Sequence, residues 1–243
     1  MDPRLKEIAD NFDKMKIGLD DTFKFHCTQC GKCCTEREDI LLSARDVYNM
    51  SKELGMVPIE MTTSYCEWYI GADSRFPIIR IKPRGSIRRC PLMKDRKCSV
   101  HKAKPLVCAM FPLGRATAFQ KNEYNIESIR DGGIQYIFNK PNCGDDSETF
   151  TVREYLESFG IPADDAFFFS WQEMLCEVTA FIHEAEKRLG DEVMNELWTT
   201  IMVGIYLCYD IERPFDEQFE ENKRGVLELI QSIQRQMNEM ASA

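Results

Sequence analysis

Apolar residues in the last third of the chain recur at spacings of three and four, the period expected for one buried face of an α-helix. The clearest stripe begins at Phe168 and continues to Leu189. Further helices are predicted over residues 192–209 and 214–240, where the same spacing returns. The pattern therefore predicts a helical region over residues 146–243 that packs on the preceding domain.

The middle of the chain carries shorter patterns. Ser43 suits a helix N-cap, Asp46 falls in the first turn, and Gly55 stops the helix. Residues 76–82 alternate isoleucine with arginine or lysine, which predicts a strand, and one or two strands are expected within residues 113–140. We therefore predict an α+β fold, predominantly α. An irregular cysteine-cluster metal-binding domain with a few short strands precedes a C-terminal helical bundle.

These patterns divide the chain into three segments. Residues 1–22 are expected to form an N-terminal helix or arm, residues 23–145 the cysteine-cluster metal-binding domain, and residues 146–243 the helical region packed on it. No apolar run approaches the roughly 20 residues that span a bilayer, and the charged start of the chain lacks the apolar segment of a signal peptide. We therefore expect a cytoplasmic protein in a reducing compartment.

The chain has 11 cysteines, and four of them fall within eight residues. In a reducing compartment, clustered cysteines bind metal or perform redox chemistry more often than they form disulfides. The spacing C-x-x-C-x-x-C-C lets a tight turn bring several thiolates to one ion or cluster. The candidate ligands are the four motif cysteines, three in a second segment and one further downstream: Cys27, Cys30, Cys33, Cys34, Cys90, Cys98, Cys108 and Cys143.

The Cys33–Cys34 doublet bears on the number of metal centres. Adjacent side chains usually point apart, so one of the two is expected to serve a different site or face. Eight thiolates could form two four-cysteine centres, or one centre with spare thiols, and the spacing leaves both open.

The remaining cysteines and the histidines have patterns more typical of structural roles. Cys66, Cys176 and Cys208 lie among apolar residues, and we predict that they are in or near the core. His26 and His101 adjoin candidate ligands, but the cysteines suffice, so we expect neither ring to bind the metal.

The net charge of −9 is unevenly distributed along the chain. Residues 75–104 contain 11 Lys or Arg and one acid, whereas residues 145–243 contain 22 acids and seven Lys or Arg. The basic stretch could offset the negative charge of a four-thiolate centre, form a solvated loop, or receive an acidic partner. We also expect the acidic helices to dock against it. No aromatic-rich RNA-binding motif accompanies the stretch, so nucleic acid is not expected as a partner.

The cysteine segments resemble a known family. The motif Cys27–Cys34 is followed by Cys90-Pro91-Leu92, Cys98-Ser99-Val100-His101 and Lys104-Pro105-Leu106-Val107-Cys108. These blocks are similar to the YkgJ-type cysteine-cluster family, described as a zinc- or iron-chelating domain, and the resemblance covers residues 23–145. It implies metal chelation. Family members often have Tyr and Arg where this chain has His101 and Lys104. A related cysteine pattern occurs in flagellin lysine N-methylases, which implies a protein-modifying enzyme as a further alternative.

The spacing of the cysteines favours an iron–sulfur cluster over zinc. Structural zinc usually takes two C-x-x-C pairs, whereas this chain supplies a triplet and then cysteines spaced by eight and ten residues. We therefore favour a [4Fe–4S] cluster as cofactor, in one or two centres, with zinc as the alternative.

The function expected from this centre is electron transfer or a cluster-bearing accessory role. The alternatives are a zinc-stabilised interaction module and a lysine N-methylase-like enzyme. A redox or protein partner of acidic character is expected, and a membrane partner is not.

Overall fold

The computed structural model describes residues 10–35, 40–95, 97–117 and 133–242 of the chain. The fold is α+β and predominantly helical, with small antiparallel sheets, as the sequence predicts. The α-helices are α1 Ala44–Leu54, α2 Pro58–Tyr65, α3 Leu106–Met110, α4 Val152–Glu157, α5 Ala166–Ala185, α6 Asp191–Tyr206 and α7 Phe215–Ser242. The strands are β1 Lys16–Ile17, β2 Thr22–His26, β3 Leu41–Leu42, β4 Cys66–Ile70, β5 Pro77–Ile81, β6 Met93–Lys94, β7 Lys97–Cys98, β8 Leu113–Thr117, β9 Ile134–Phe138 and β10 Asp145–Thr151.

The chain forms two compact units, and each is built from two separate stretches of sequence. The first unit contains Met1–Cys33 and Leu106–Phe169, and the second contains Cys34–Pro105 and Ser170–Ala243. The three segments predicted from the sequence stay a prediction. Within the ranges that the structure describes, none of the helices has the length and apolar character needed to cross a membrane.

Aromatic side chains from strands and helices form the core of the first unit. Phe23 and Phe25 alternate with polar residues along β2, so both rings are buried while their neighbours face outward. Tyr155 of α4 packs edge-on against Phe23, with ring centroids 5.2 Å apart. Tyr136 of β9 and Leu156 of α4 belong to the same buried cluster. The sheets β1–β9–β8 and β2–β10 therefore share one apolar core within this unit.

A buried ion pair joins two elements of the first unit. Arg115 of β8 donates two hydrogen bonds of 3.1 Å to the Asp165 carboxylate, which directly precedes α5. Both side chains are only 5% exposed. The Arg115 guanidinium also lies 4.0 Å from the centre of the Phe168 ring. The pair therefore ties a strand to the start of a helix through charges that are shielded from water.

The second unit is organised around α1, which begins and ends where the sequence predicts. The Asp46 backbone N–H donates to the Ser43 hydroxyl, and the Asp46 carboxylate accepts from the Ser43 N–H. Gly55 ends the helix with φ of 63°, the left-handed conformation that glycine adopts without strain. The apolar face of α1 packs against α6 and α7, and Tyr48 donates a 2.7 Å hydrogen bond to the Arg213 carbonyl.

Other sequence expectations meet mixed outcomes. The predicted strand at residues 76–82 is confirmed as β5, which pairs with β4. Within residues 113–140, β8 and β9 are present and residues 118–132 lie outside the described part. For the N-terminal arm, residues 10–15 are helical, and the residues before them are not described.

The prediction for the three structural cysteines is right for two of them. Cys66 and Cys176 are buried, as expected. Cys208 is exposed, so its predicted place in the core is wrong. The reason is that α6 ends at Tyr206, with Leu207 as its C-cap, so the helical period no longer governs the next residue.

Candidate metal centre

The pairing of β2 with β10 brings distant cysteines to one end of a two-stranded sheet. His26 is the register partner of Asp145, and its Nδ1 lies 3.3 Å from an oxygen of that carboxylate. Cys27 follows His26 directly, and Cys143 comes two residues before Asp145. Because the strands are antiparallel, the chain leaving β2 and the chain entering β10 lie side by side at this end. Residues more than a hundred positions apart in sequence therefore meet here.

The segment after Cys27 is a tight loop that turns one of its backbone N–H groups toward a sulfur. Gln29 and Gly31 take positive φ values of 54° and 76°, and Lys32–Cys34 forms a short 3-10 turn. The backbone N–H groups of Lys32 and Gly144 both donate to the Cys30 sulfur. These bonds stabilise negative charge on that sulfur, as metal–thiolate sites require.

Gly144 lets the two segments approach closely. Its φ is 72°, and a Cβ placed on it would lie 2.5 Å from the His26 carbonyl oxygen and 2.7 Å from a carbon of the Phe25 ring. No side chain fits at that distance. On the other side of the loop, the Lys32 ammonium donates a 3.3 Å hydrogen bond to the Asn142 carbonyl. The backbone around Cys143 is thus held against the motif loop at two points.

Four thiols of the first unit interact electrostatically. Burial raises the pKa of Cys143 to about 11, and the neighbouring thiolates of Cys33, Cys30 and Cys27 act in the same direction. The pKa of Cys30 is lowered, chiefly by the Lys32 N–H. A like-charge effect of this kind requires the sulfurs to be near one another. The structure therefore brings Cys27, Cys30, Cys33 and Cys143 together.

These four thiols lie near one another but do not form a complete metal site in this structure. Among the described residues, no group of three or more Cys, His, Asp or Glu side chains has the geometry to hold a metal ion. Cys27 and Cys30 are exposed, and Cys33 and Cys143 are half-buried. The donor set nevertheless fits a soft metal or an iron–sulfur cluster, because it consists of thiols with backbone N–H donors directed at one of them.

Aromatic side chains of the first unit lie beneath this group. Tyr155 donates a 2.6 Å hydrogen bond to the Phe111 carbonyl, and its ring lies edge-on to Phe25. Burial raises the pKa of Tyr155, and the thiolates of Cys27 and Cys33 add to the effect. The phenol therefore stays neutral, and its aromatic ring lies near two of the candidate ligands.

A second set of cysteines belongs to the other unit. The Cys90 N–H donates a 2.8 Å hydrogen bond to the Cys34 carbonyl. Cys98 is the register partner of Met93 in the β6–β7 hairpin that follows Cys90. Cys66 is buried at the start of β4; burial raises its pKa to about 12, and the Cys90 thiolate contributes. The doublet is thus divided, since Cys33 belongs to the first unit and Cys34 to the second.

The other predicted candidates occupy simpler positions. Cys108 is half-buried on α3 in the first unit, and the next two residues, Ala109 and Met110, belong to the core. The pKa of His101 is lowered by burial and by the charge of Lys104, which favours a neutral ring. That all eight cysteines bind metal stays a prediction.

Several residues near Cys27, Cys30, Cys33 and Cys143 were not singled out from the sequence. Gly144 and Asn142 adjoin Cys143, but only the β2–β10 register gives them a role. Asp145 lies against His26, and the thiolates of Cys27 and Cys33 affect the pKa of Tyr155, although both residues come from a segment remote from the motif. The adjacency of Gly144 to a candidate ligand was the one sequence signal available, because glycine often marks close approach of backbone to a bound group.

Comparison with known proteins gives one match. Residues 26–127 match a family model described as "CxxCxxCC: Putative zinc- or iron-chelating domain". The matched segment includes seven of the eight candidate cysteines and ends before Cys143. No curated protein matches the chain. No solved structure matches it either.

Proposed function

We propose that the first unit binds a [4Fe–4S] cluster through Cys27, Cys30, Cys33 and Cys143. The match of residues 26–127 to a family model for a zinc- or iron-chelating domain supports metal binding by this segment. The observation that carries this proposal is the register of His26 with Asp145, which brings the fourth thiol to the motif loop. Three thiolates on one loop and one from a distant segment is the usual ligand arrangement of such clusters.

The environment of the thiols suits a cluster in two respects. The Lys32 and Gly144 N–H groups donate to the Cys30 sulfur, and bonds of this kind raise the reduction potential of an iron–sulfur centre. The exposed side chains of Cys27 and Cys30 leave one side of the centre open to solvent. An electron could therefore enter or leave at that side, which supports electron transfer as the function. A cluster-bearing accessory role uses the same residues.

Metal content is the decisive measurement for this proposal. The protein is purified without oxygen and analysed for iron, acid-labile sulfide and zinc. We expect about four iron and four sulfide per chain, an absorbance band near roughly 400 nm, and an EPR signal after reduction by dithionite. Stoichiometric zinc without iron would refute the cluster and favour a zinc-stabilised module.

A matched pair of variants tests the ligand set. Cys143→Ser removes the proposed fourth thiolate, and we expect loss of most of the iron. Cys208→Ser makes the same chemical change at an exposed cysteine of the second unit, and its iron content should equal that of the parent protein. If both variants kept full iron, Cys143 would not be a ligand.

Reversibility separates the two roles of the cluster. An electron carrier should pass repeatedly between two oxidation states in film voltammetry with no loss of iron. A cluster that is lost after one cycle would favour the accessory role instead.

A further inference from the structure

We propose that the second unit binds the acidic surface of a partner protein through two adjacent basic hairpins, with Ile87 as the apolar contact at the apex of the first. The first hairpin is residues 84–89 and the second is residues 93–98. We call the two together the basic double hairpin. The proposal goes beyond the metal centre, because it uses none of the cysteines and does not depend on which metal the chain binds.

Direct backbone bonds fix the first hairpin. Arg84 and Arg89 exchange two hydrogen bonds of 2.8 Å between their backbone N–H and carbonyl groups. Inside the loop, the Arg88 N–H donates to the Gly85 carbonyl at 3.1 Å, and these two residues take positive φ values of 46° and 74°. The turn therefore has a defined conformation. It presents Ile87 at its apex, where the residue is 57% exposed.

The second hairpin follows the first in the chain and is bonded to it. The Arg89 guanidinium donates a 2.9 Å hydrogen bond to the Met93 carbonyl, at the start of β6. Leu92 and Met93 are buried, which anchors β6 on the core of the unit. The Arg84 guanidinium donates a 2.7 Å bond to the Ser64 carbonyl in α2, so the first hairpin is anchored as well. A partner therefore meets a preformed surface, and little conformational entropy is lost on binding.

The arginines of the double hairpin differ from one at the start of the basic stretch. Arg75 binds the Glu186 carboxylate at 2.7 Å. The guanidiniums of Arg84 and Arg89 donate to backbone carbonyls instead. Neither of them has a carboxylate partner among the residues that the structure describes. A guanidinium bonded to one carbonyl keeps its full charge and most of its five N–H donors, so both arginines can bind an acidic ligand.

The second hairpin places two lysines directly opposite each other. Lys94 and Lys97 are register partners, both are exposed, and the described part of the chain supplies neither with a carboxylate partner. Like charges opposite one another on a ladder repel. Residues 84–98 contain six Lys or Arg and one acid, Asp95, although the net charge of the chain is −9. Carboxylates of a partner would relieve this repulsion, so the surface selects an acidic ligand.

The apolar contact favours a protein over a nucleic acid as that ligand. An isoleucine among arginines matches the centre of protein interfaces, where an apolar contact is surrounded by polar groups and arginine is enriched. Nucleic acids are held by phosphate contacts and by bases stacked on aromatic rings, and residues 84–98 contain no aromatic residue. Two short hairpins fit the small interfaces of transient complexes, whose association is steered by charge.

A displayed library of random peptides tests the chemistry of the partner. The target is the full chain, purified without oxygen, at about 50 mM salt, where charges are weakly screened. We expect the selected peptides to be rich in Asp and Glu and to carry an apolar residue. Because the chain as a whole is acidic, non-specific binding would select basic peptides instead. Selection without acidic enrichment, or of no peptide at all, would overturn the proposal.

Variants then locate the surface, with the tightest selected peptide as the probe in fluorescence anisotropy. Ile87→Ser should weaken its affinity about tenfold through loss of the apolar contact. Val193→Ser, at a 50% exposed valine of α6, should bind as the parent protein does. Lys94→Glu combined with Lys97→Glu should also weaken binding about tenfold. Arg235→Glu, at an exposed position of α7, should leave the affinity unchanged. Full affinity in either hairpin variant would refute the site.

Two further measurements exclude other roles for these cations. A DNA duplex of the same charge as the peptide should compete poorly for the parent protein, and stronger competition than by the peptide itself would refute a protein partner. Every variant should hold as much metal as the parent protein. Loss of metal from the Lys94→Glu, Lys97→Glu variant would mean that the lysines serve the thiolates, which would overturn the proposal. Zinc in place of iron in the parent protein would refute the proposed cluster and leave the peptide binding unaffected.

Discussion

At the scale of single residues, the pKa values of two cysteines of the first unit are shifted in opposite directions. Cys30 accepts N–H bonds from Lys32 and Gly144, so its pKa is lowered and its thiolate is favoured. Cys143 is less hydrated and faces three other thiolates, so its pKa is raised to about 11. In the metal-free chain at neutral pH, Cys143 is therefore protonated and donates to the Cys30 sulfur. A metal ion must displace that proton on binding.

The raised pKa of Cys143 predicts how the metal-free chain responds to alkali. The ordinary thiol pKa is 9.0 and the folded value is about 11. Since the folded state favours the neutral thiol, its stabilising contribution is complete below pH 9 and is lost as the pH rises through 11. Urea unfolding of the reduced, metal-free protein should therefore show stability falling over this range. Cys143→Ala should lose less stability over the same range, and equal losses in both proteins would contradict the assignment.

Gly144 is the residue whose substitution should affect the first centre most directly. Gly144→Ala brings a Cβ to 2.5 Å from the His26 carbonyl and also strains a positive φ. We expect a loss of about 2–4 kcal/mol in unfolding free energy, combining left-handed strain with overpacking, together with weaker metal retention. Gly160→Ala is the matched control, because Gly160 has φ of 65° with nothing within 4 Å. It should cost only the strain, about 1 kcal/mol. Equal losses in the two variants would show that close approach at Gly144 is unimportant.

At the scale of secondary-structure elements, short-range signals predicted well and long-range pairing did not. The N-cap of α1 follows from Ser43, and β5 follows from its alternation, because both depend on neighbours in sequence. The pairing of β2 with β10 joins segments more than a hundred residues apart, and no local pattern specifies such a partner. The motif cysteines could therefore be identified from the sequence, and the Cys33–Cys34 doublet predicted that one of the two serves a different site or face. The position of Cys143 beside the motif loop could not be predicted, because it depends on this pairing.

The buried pair Arg115–Asp165 predicts a large effect where β8 meets the start of α5. Asp165→Asn removes the negative partner and leaves the Arg115 charge in a site where each side chain is 5% exposed. We expect a loss of about 3–5 kcal/mol in unfolding free energy, measured by urea titration. Asp20→Asn is the control, since Asp20 binds Arg153 at 3.0 Å but is 82% exposed. Its cost should stay below about 1 kcal/mol. Comparable losses would mean that burial of the Arg115 charge does not depend on the Asp165 carboxylate.

At the scale of the whole molecule, the charge asymmetry of the sequence has a partial counterpart in the second unit. Arg75 bonds to Glu186 at 2.7 Å, and its guanidinium also lies over the Trp198 ring. Arg80 instead binds Glu67 on the adjacent strand. The basic stretch therefore meets acids from its own sheet as well as from the helices. The predicted docking of the acidic helices on it stays a prediction, to which Arg75 gives one point of contact.

The division into two units predicts that loss of the metal centre in the first unit destabilises that unit and not the second. Cys27→Ser removes a proposed cluster ligand at the end of β2. Hydrogen exchange should then accelerate at the amides of Thr22–His26 and Asp145–Thr151, because the cluster no longer joins these strands. The amides of Asp191–Tyr206, which belong to the second unit, should exchange as in the parent protein. Cys208→Ser should leave both regions unchanged. Faster exchange in α6 of the Cys27 variant would mean that the units do not gain stability separately, since a ligand of one would then support the core of the other.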